Sequence, residues 1–151
     1  MARDRLNAAG FNDYDGDGML EYSPSHATPT PPDPPADMEE LPELQFYIRS
    51  DDPDRKHAGE QLRDEMTALG IPVEAFIETK AVCYDRVYLR REYHIYTDAW
   101  TFDSRNPSDY YEIFYSKYDG LWGNYIGYYS HEFDYWFEKF VYATTMEEAL
   151  E

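Results

Sequence analysis

Residues 12–21 read Asn-Asp-Tyr-Asp-Gly-Asp-Gly-Met-Leu-Glu, which sets Asp13, Asp15 and Asp17 at alternate positions with Gly18 after them. Alternating carboxylates that converge on one point, with a glycine where the chain turns sharply, match the first half of a calcium loop. Leu20 fits as the apolar residue that pins such a loop to a core. Counting Asp13 as the first position, the ninth is Glu21, which can bind an ion directly or through water. The twelfth, where an EF-hand supplies a bidentate glutamate, is Pro24. A tight Asp/Gly turn holding no ion accounts for the same residues. Asp13, Asp15, Asp17 and Glu21 are therefore the candidate metal ligands. Ca2+ is the one cofactor in question, and none is required.

Trp100-Thr-Phe-Asp103 offers a second kind of chemistry. An aromatic wall three residues before a carboxylate suits an amphipathic ligand with a cationic group, held by stacking and a charge-assisted hydrogen bond. Equally, Trp100 can end a strand in the core while Asp103 opens a turn with Ser104 and Asn106. Catalytic constellations are thin. His26, His57, His94 and His131 are scattered, and His131-Glu132 fails as a zinc helix because the fifth residue is Tyr135. The sequence has no phosphate loop, no G-x-G-x-x-G and no nucleophile elbow. With 31 carboxylates, any glycosidase-like pair would be arbitrary. No enzyme is expected.

These residues need elements to position them. Residues 44–48 read as a strand, followed by a turn at Asp51-Asp52-Pro53-Asp54. A helix fits 55–69, with Ala58, Leu62, Met66 and Leu69 on one face and Gly70 ending it. Alternation at Val73, Ala75 and Ile77 predicts a second strand. A helix over 81–91 would turn Tyr84, Val87 and Tyr88 inward, and a third strand covers 93–100. That rhythm predicts an α/β fold with a small parallel or mixed sheet, flanking helices and right-handed crossovers. Ligands of such sheets collect beyond the carboxyl ends of the strands, here 49–52, 78–80 and 100–103. Farther on, Ser108 caps a short helix to Tyr115, 117–130 is a Gly/Tyr-rich loop, and 131–142 is a helix. Its Phe133, Trp136, Phe137 and Phe140 at helical spacing read as core.

Composition narrows the partners. The 151 residues suit one domain, with 1–42 as a leading segment and 43–151 as the α/β part. A formal net charge of −18 argues against nucleic acid, which requires clustered Lys and Arg. The single cysteine, Cys83, excludes an internal disulfide and a Cys-based zinc cluster, and reads as a buried thiol. No apolar run approaches a membrane span, so a membrane enters only through an anchor outside the sequence. Residues 24–42 hold seven of the ten prolines and read as an extended connector. Between 84 and 142 lie 21 of the 27 aromatic residues, more rings than one core hides, so part of that surface should meet something. Gly10 closes a helix over 2–9 whose start is missing. Thr145 and Glu148 form a capping box for a helix broken off at Glu151. Both ends suggest a piece of a longer protein.

Five features occur in the order seen in the extracellular solute-binding proteins, family 5, which feed peptide and nickel ABC importers. They are Leu6-x-x-Ala-Gly-Phe11, Asp13-x-Asp-Gly-Asp-Gly18, and the strand–helix unit ending Leu69-Gly-Ile-Pro-Val73. The last two are the strand into Trp100, and Asn124-Tyr-Ile-Gly-Tyr128 followed by Phe133-Asp134. The chain resembles a fragment covering most of one lobe of that periplasmic-binding-protein-like fold. The resemblance implies capture of a peptide or similar small solute outside the cell by lobe closure, with an ABC permease as partner. It implies an extracellular or periplasmic location, with the whole protein anchored at the cell surface. In peptide-binding members a Trp-x-x-Asp segment pairs with the peptide's free ammonium, which assigns that role to Asp103, with Trp100 beside it and Tyr125 and Tyr128 at the rim. The residues after it, Ser104-Arg105-Asn106-Pro107, depart from the usual acidic or Tyr-rich run. Two other classes stay open: a carbohydrate-binding module, and a calcium-stabilised structural domain with no ligand of its own.

Overall fold

A computed structural model of the chain describes residues 1–24, 37–99, 108–118 and 124–150. They form two compact units, Met1–Tyr84 with Glu92–Asp98, and Asp85–Arg91 with Ala99–Glu151.

The first unit opens with helix α1 (Ala2–Ala8). It closes on Gly10 at φ 94°, with Phe11 N–H donating to the Leu6 carbonyl and Gly10 N–H to that of Asn7. This Schellman ending needs the left-handed backbone that glycine adopts without a Cβ penalty. Strand β1 (Glu21–Tyr22) pairs antiparallel with β2 (Glu39–Glu40), so the end of the proline-rich connector forms a short ladder. The rest of that connector, 25–36, lies outside the described residues.

The main sheet has the order β4–β3–β5, with β3 (Leu44–Arg49) central and parallel to both neighbours. β4 (Val73–Glu78) runs in register from Leu44↔Val73 to Arg49↔Glu78. The expected third strand over 93–100 is reduced to two paired residues, β5 (Ile95–Tyr96). Side chains take over beside it: Gln45 N–H donates to His94 Nδ1 (2.9 Å) and Arg49 N–H to Thr97 Oγ1 (3.0 Å). The outer amides of β3 are satisfied without more ladder, which is all that buried donors require.

Helix α2 (Pro53–Ala68) starts two residues before the expected position. Asp52 is its N-cap, accepting from the N–H groups of Asp54 and Arg55, and Pro53 occupies the first turn, where no N–H is needed. The face it turns to the sheet also differs from the expected one. Ala58 and Leu62 are exposed, whereas Gly59 is buried against Ile48 and Thr97. Its missing side chain lets the helix sit close to β3. Helix α3 (Lys80–Tyr84) follows β4 and contributes Cys83, fully buried, whose thiol is pushed up to about 11 by burial and then by the Glu78 charge. With α2 over the Phe46 and Ile48 face and Tyr84 beside Arg49 on the other, β3 is buried on both sides, as a central parallel strand should be.

In the second unit the expected helix over 81–91 continues as a π-helical stretch (Asp85–Arg90), with Val87 inward and fully buried. Helix α4 (Ser108–Tyr111) lasts one turn and gives way to 3-10 turns at Glu112–Phe114 and Ser116–Tyr118, so the expected helix to Tyr115 is broken. Helix α5 (His131–Tyr142) spans the expected range, capped by Ser130 Oγ accepting from Phe133 N–H (3.2 Å). Its Asp134 and Glu138 hold the 3-10 segment: Asp134 accepts from Ser116 N–H and Oγ–H, and Glu138 from Tyr115 and Lys117. Phe137 is buried against Tyr115 and Phe133. Trp136 is 52% exposed, which corrects its reading as core: a 12-residue helix lying on one layer buries one stripe, and Trp136 falls beside it. In α6 (Met146–Leu150), Thr145 Oγ1 accepts from Glu148 N–H as expected, while Glu148 reaches back to Thr144 instead of Thr145.

Candidate functional site

Three sets of residues bear on function, the first and third in the first unit and the second in the second unit. The first is the carboxyl edge of the parallel sheet. Arg49, the last residue of β3, has a side chain only 9% exposed. Its guanidinium donates two bonds to Asp51, from Nε to Oδ1 (3.0 Å) and from Nη2 to Oδ2 (2.6 Å). Asp98 Oδ1 lies 3.8 Å from Arg49 Nη1 and 3.5 Å from Arg55 Nη1. Arg55, one turn into α2, also pairs with the N-cap Asp52 at 3.0 Å. The Tyr84 ring lies under both Arg49 (5.8 Å) and Lys80 (5.1 Å).

Planar bidentate pairing favours the ionised form of both partners. The bond to Asp51 holds Arg49 above its ordinary value against the opposing effect of burial, and the same bond holds Asp51 below the usual carboxylate range. Burial, and then the Asp98 charge, push the Tyr96 phenol up. Asp51, Asp52 and Asp98 thus face the Arg49 and Arg55 guanidiniums, with the Lys80 ammonium alongside, so the charges of this cluster are closely matched. Of the sequence-predicted residues at this edge, Trp100 and Asp103 lie outside the described residues. The Arg49 cluster lies at the strand end expected at 49–52, and the sequence alone assigns it no role. Period-two alternation supplied the signal, since Arg49 shares the buried face of Tyr47 and an aspartate follows two residues on.

The second set is the loop before α5. Asn124, almost fully buried, brackets it: Nδ2 donates to the Tyr128 carbonyl (2.6 Å) and Oδ1 accepts from Tyr128 N–H (3.0 Å). Tyr125 is buried with its ring edge-on to Tyr88 at 4.4 Å. Tyr128 packs edge-on against Phe114 and Phe133 and still leaves 43% of its surface exposed. Tyr128 and the more exposed Tyr129 are thus rings that the described part of this loop offers to solvent, and Tyr125 anchors the loop from inside.

The third set is the aspartate loop. Asp13, Asp15, Asp17 and Glu21 each present a carboxylate oxygen, all within 4.8 Å of one another. Backbone donors orient them: Asp13 accepts from Gly16 and Gly18, Asp15 from Asp17, and Asp17 from Met19. Glu21 sits on β1, where it is fixed by paired backbone bonds to Asn12. Leu20, fully buried, donates its N–H to the Gly70 carbonyl (2.9 Å) and so ties the loop to the turn between α2 and β4. An all-oxygen, fourfold acidic donor set fits a hard divalent cation.

No helix among the described residues is long and apolar enough to cross a membrane. No protein-family profile matches the sequence, and no curated protein matches it. Solved structures do share its fold. The NikZ protein of Campylobacter jejuni, in complex with Ni(L-His), matches with TM-score 0.72 and 21% identity over 98% of this chain and 27% of its own. The oligopeptide-binding protein AppA of Bacillus subtilis, in complex with a nonapeptide, gives 0.72 and 16% over 98% and 26%. The mannohexaose-bound oligopeptide ABC transporter, periplasmic oligopeptide-binding protein, of Thermotoga maritima gives 0.72 and 18% over 98% and 26%. The chain thus has the α/β fold of part of these solute-binding proteins, and spans about a quarter of their length.

Proposed function

We propose that this chain is part of the substrate-binding component of an ABC importer, which captures a peptide or similar small solute outside the cell and is not an enzyme. The observation that carries this reading is the match of nearly the whole chain to the folds of three solute-binding proteins. In the proposal the chain forms most of one lobe, and hinge closure against a second lobe buries the solute. Asp103 receives the cationic group of the solute, Trp100 stacks beside it, Tyr128 lines the rim and Tyr125 holds that loop in place. The permease is the second partner, and the protein works outside the cell, anchored at its surface.

The neighbours' bound molecules define the test: a nonapeptide, Ni(L-His) and mannohexaose. Calorimetric titration of the complete two-lobed protein with a mixed-sequence free-amine nonapeptide, Ni(L-His) and mannohexaose should give saturable one-to-one binding of the peptide. Binding of mannohexaose alone, by the 151-residue chain without a second lobe, would instead favour a carbohydrate module.

A further inference from the structure

We propose that Asp13, Asp15, Asp17 and Glu21 bind a calcium ion, with the ninth loop residue, Glu21, as the buried ligand in place of a glutamate at the twelfth. The twelfth position is Pro24, whose side chain has no oxygen to offer.

The acidic cluster alone would be a solvated turn. What points to an ion is Glu21. The residue is 6% exposed, and its Oε1 is buried with no hydrogen-bond partner among the described residues, while Oε2 accepts from Tyr14 N–H at 2.6 Å. A buried carboxylate oxygen without a partner is unfavourable, because water solvated it before folding and nothing replaces that water. Glu21 is one of the four residues whose carboxylate oxygens lie within 4.8 Å of one another. A cation at that point would supply the missing partner and offset the repulsion of four like charges.

The donor set selects the ion. Only oxygen is offered, which disfavours soft thiophilic metals. Four carboxylates, three of them on exposed and adjustable side chains, suit the six to eight ligands and loose geometry of Ca2+. Mg2+ requires near-ideal octahedral geometry and keeps most of its water, so it should compete weakly. Binding would also act beyond the loop. Leu20 and Gly70 are hydrogen-bonded, and a Cβ on Gly70 would lie 2.6 Å from the Gly18 carbonyl, so the loop and the α2–β4 turn fit together only as they stand. Fixing the loop should therefore stabilise the β3–β4 pair.

This inference stands independently of solute capture, and either can fail without the other. CaCl2 is titrated by calorimetry into the chelator-treated 151-residue chain, with the circular dichroism of each variant recorded. One ion should bind, with a dissociation constant on the order of 10⁻⁴ M or tighter, and MgCl2 should bind at least tenfold more weakly. Glu21→Gln and the exposed, isosteric Asp15→Asn should each weaken calcium at least tenfold. If Glu21→Gln does not fold, Asp15→Asn decides. The proposal is overturned if the unaltered chain shows neither heat of binding nor a rise in melting temperature in 10 mM CaCl2, or if either folded variant binds as tightly as the original.

Discussion

Arg49 shows how a single residue can organise one edge of this fold. It is a buried charge, and it is accommodated because Asp51 accepts from it twice and Asp98 stands 3.8 Å away. Removing one partner of such a pair leaves a buried cation poorly compensated. The linkage has a definite sign. Asp51 is held below its ordinary value in the folded state, so its contribution is fully present above the unfolded carboxylate value of about 3.9 and is lost as pH falls through the lower folded value. Asp51→Asn should therefore lower the melting temperature at pH 7, and the gap to the original protein should close in the acid range below about pH 4. A gap that stays constant between pH 7 and pH 3 would separate Asp51 from that linkage. At this scale much was legible: the aspartate loop, the burial of Cys83 and the Thr145 cap all follow from local chemistry. The Arg49 cluster was harder to read, since its partner Asp98 lies 49 residues away and only the sheet brings the two together.

At the scale of elements, hydrophobic periodicity located α2, β3, β4 and α5 and misjudged what faced inward. The apolar stripe Ala58–Leu62–Met66–Leu69 made a reasonable helix face, yet the contact to the sheet runs through Gly59. Apolar scales reward size, so they overlook a position selected for having none. A Cβ at Gly59 would lie 2.8 and 2.9 Å from Ile48 carbons and 2.9 Å from Thr97 Cγ2. Neither neighbour gives way readily, because Ile48 is fully buried and Thr97 accepts from Arg49 N–H. Gly59→Ala should gain about 1 kcal/mol in helix propensity and lose about 1–3 kcal/mol to overpacking. A net destabilisation of about 0–2 kcal/mol is expected from urea unfolding, and a stabilised variant would show that α2 can move off the sheet. Strand β5 was overestimated for a related reason. Pattern alone cannot show that His94 and Thr97 side chains replace backbone partners.

For the whole molecule, the alternation of strands and helices correctly implied a parallel sheet, because crossover helices must separate strands that run the same way. The aromatic excess divides into two kinds of ring. Phe133, Phe137 and Tyr115 pack together in the second unit, while Tyr135, Trp136 and Tyr142 are exposed along α5. Ring count alone therefore did not locate a site, and the local pattern Trp100-Thr-Phe-Asp103 remains the stronger pointer to one. Within the proposed function, the cationic end of the solute is assigned to Asp103. The decisive measurement is calorimetric titration of the complete two-lobed protein and its Asp103→Asn variant with one oligopeptide, once with a free amino terminus and once acetylated. For a buried ion pair the substitution should weaken the free-amine peptide by about 2–5 kcal/mol and leave the acetylated peptide nearly unchanged. Equal affinities for both proteins and both peptides would remove Asp103 from the site and contradict the account.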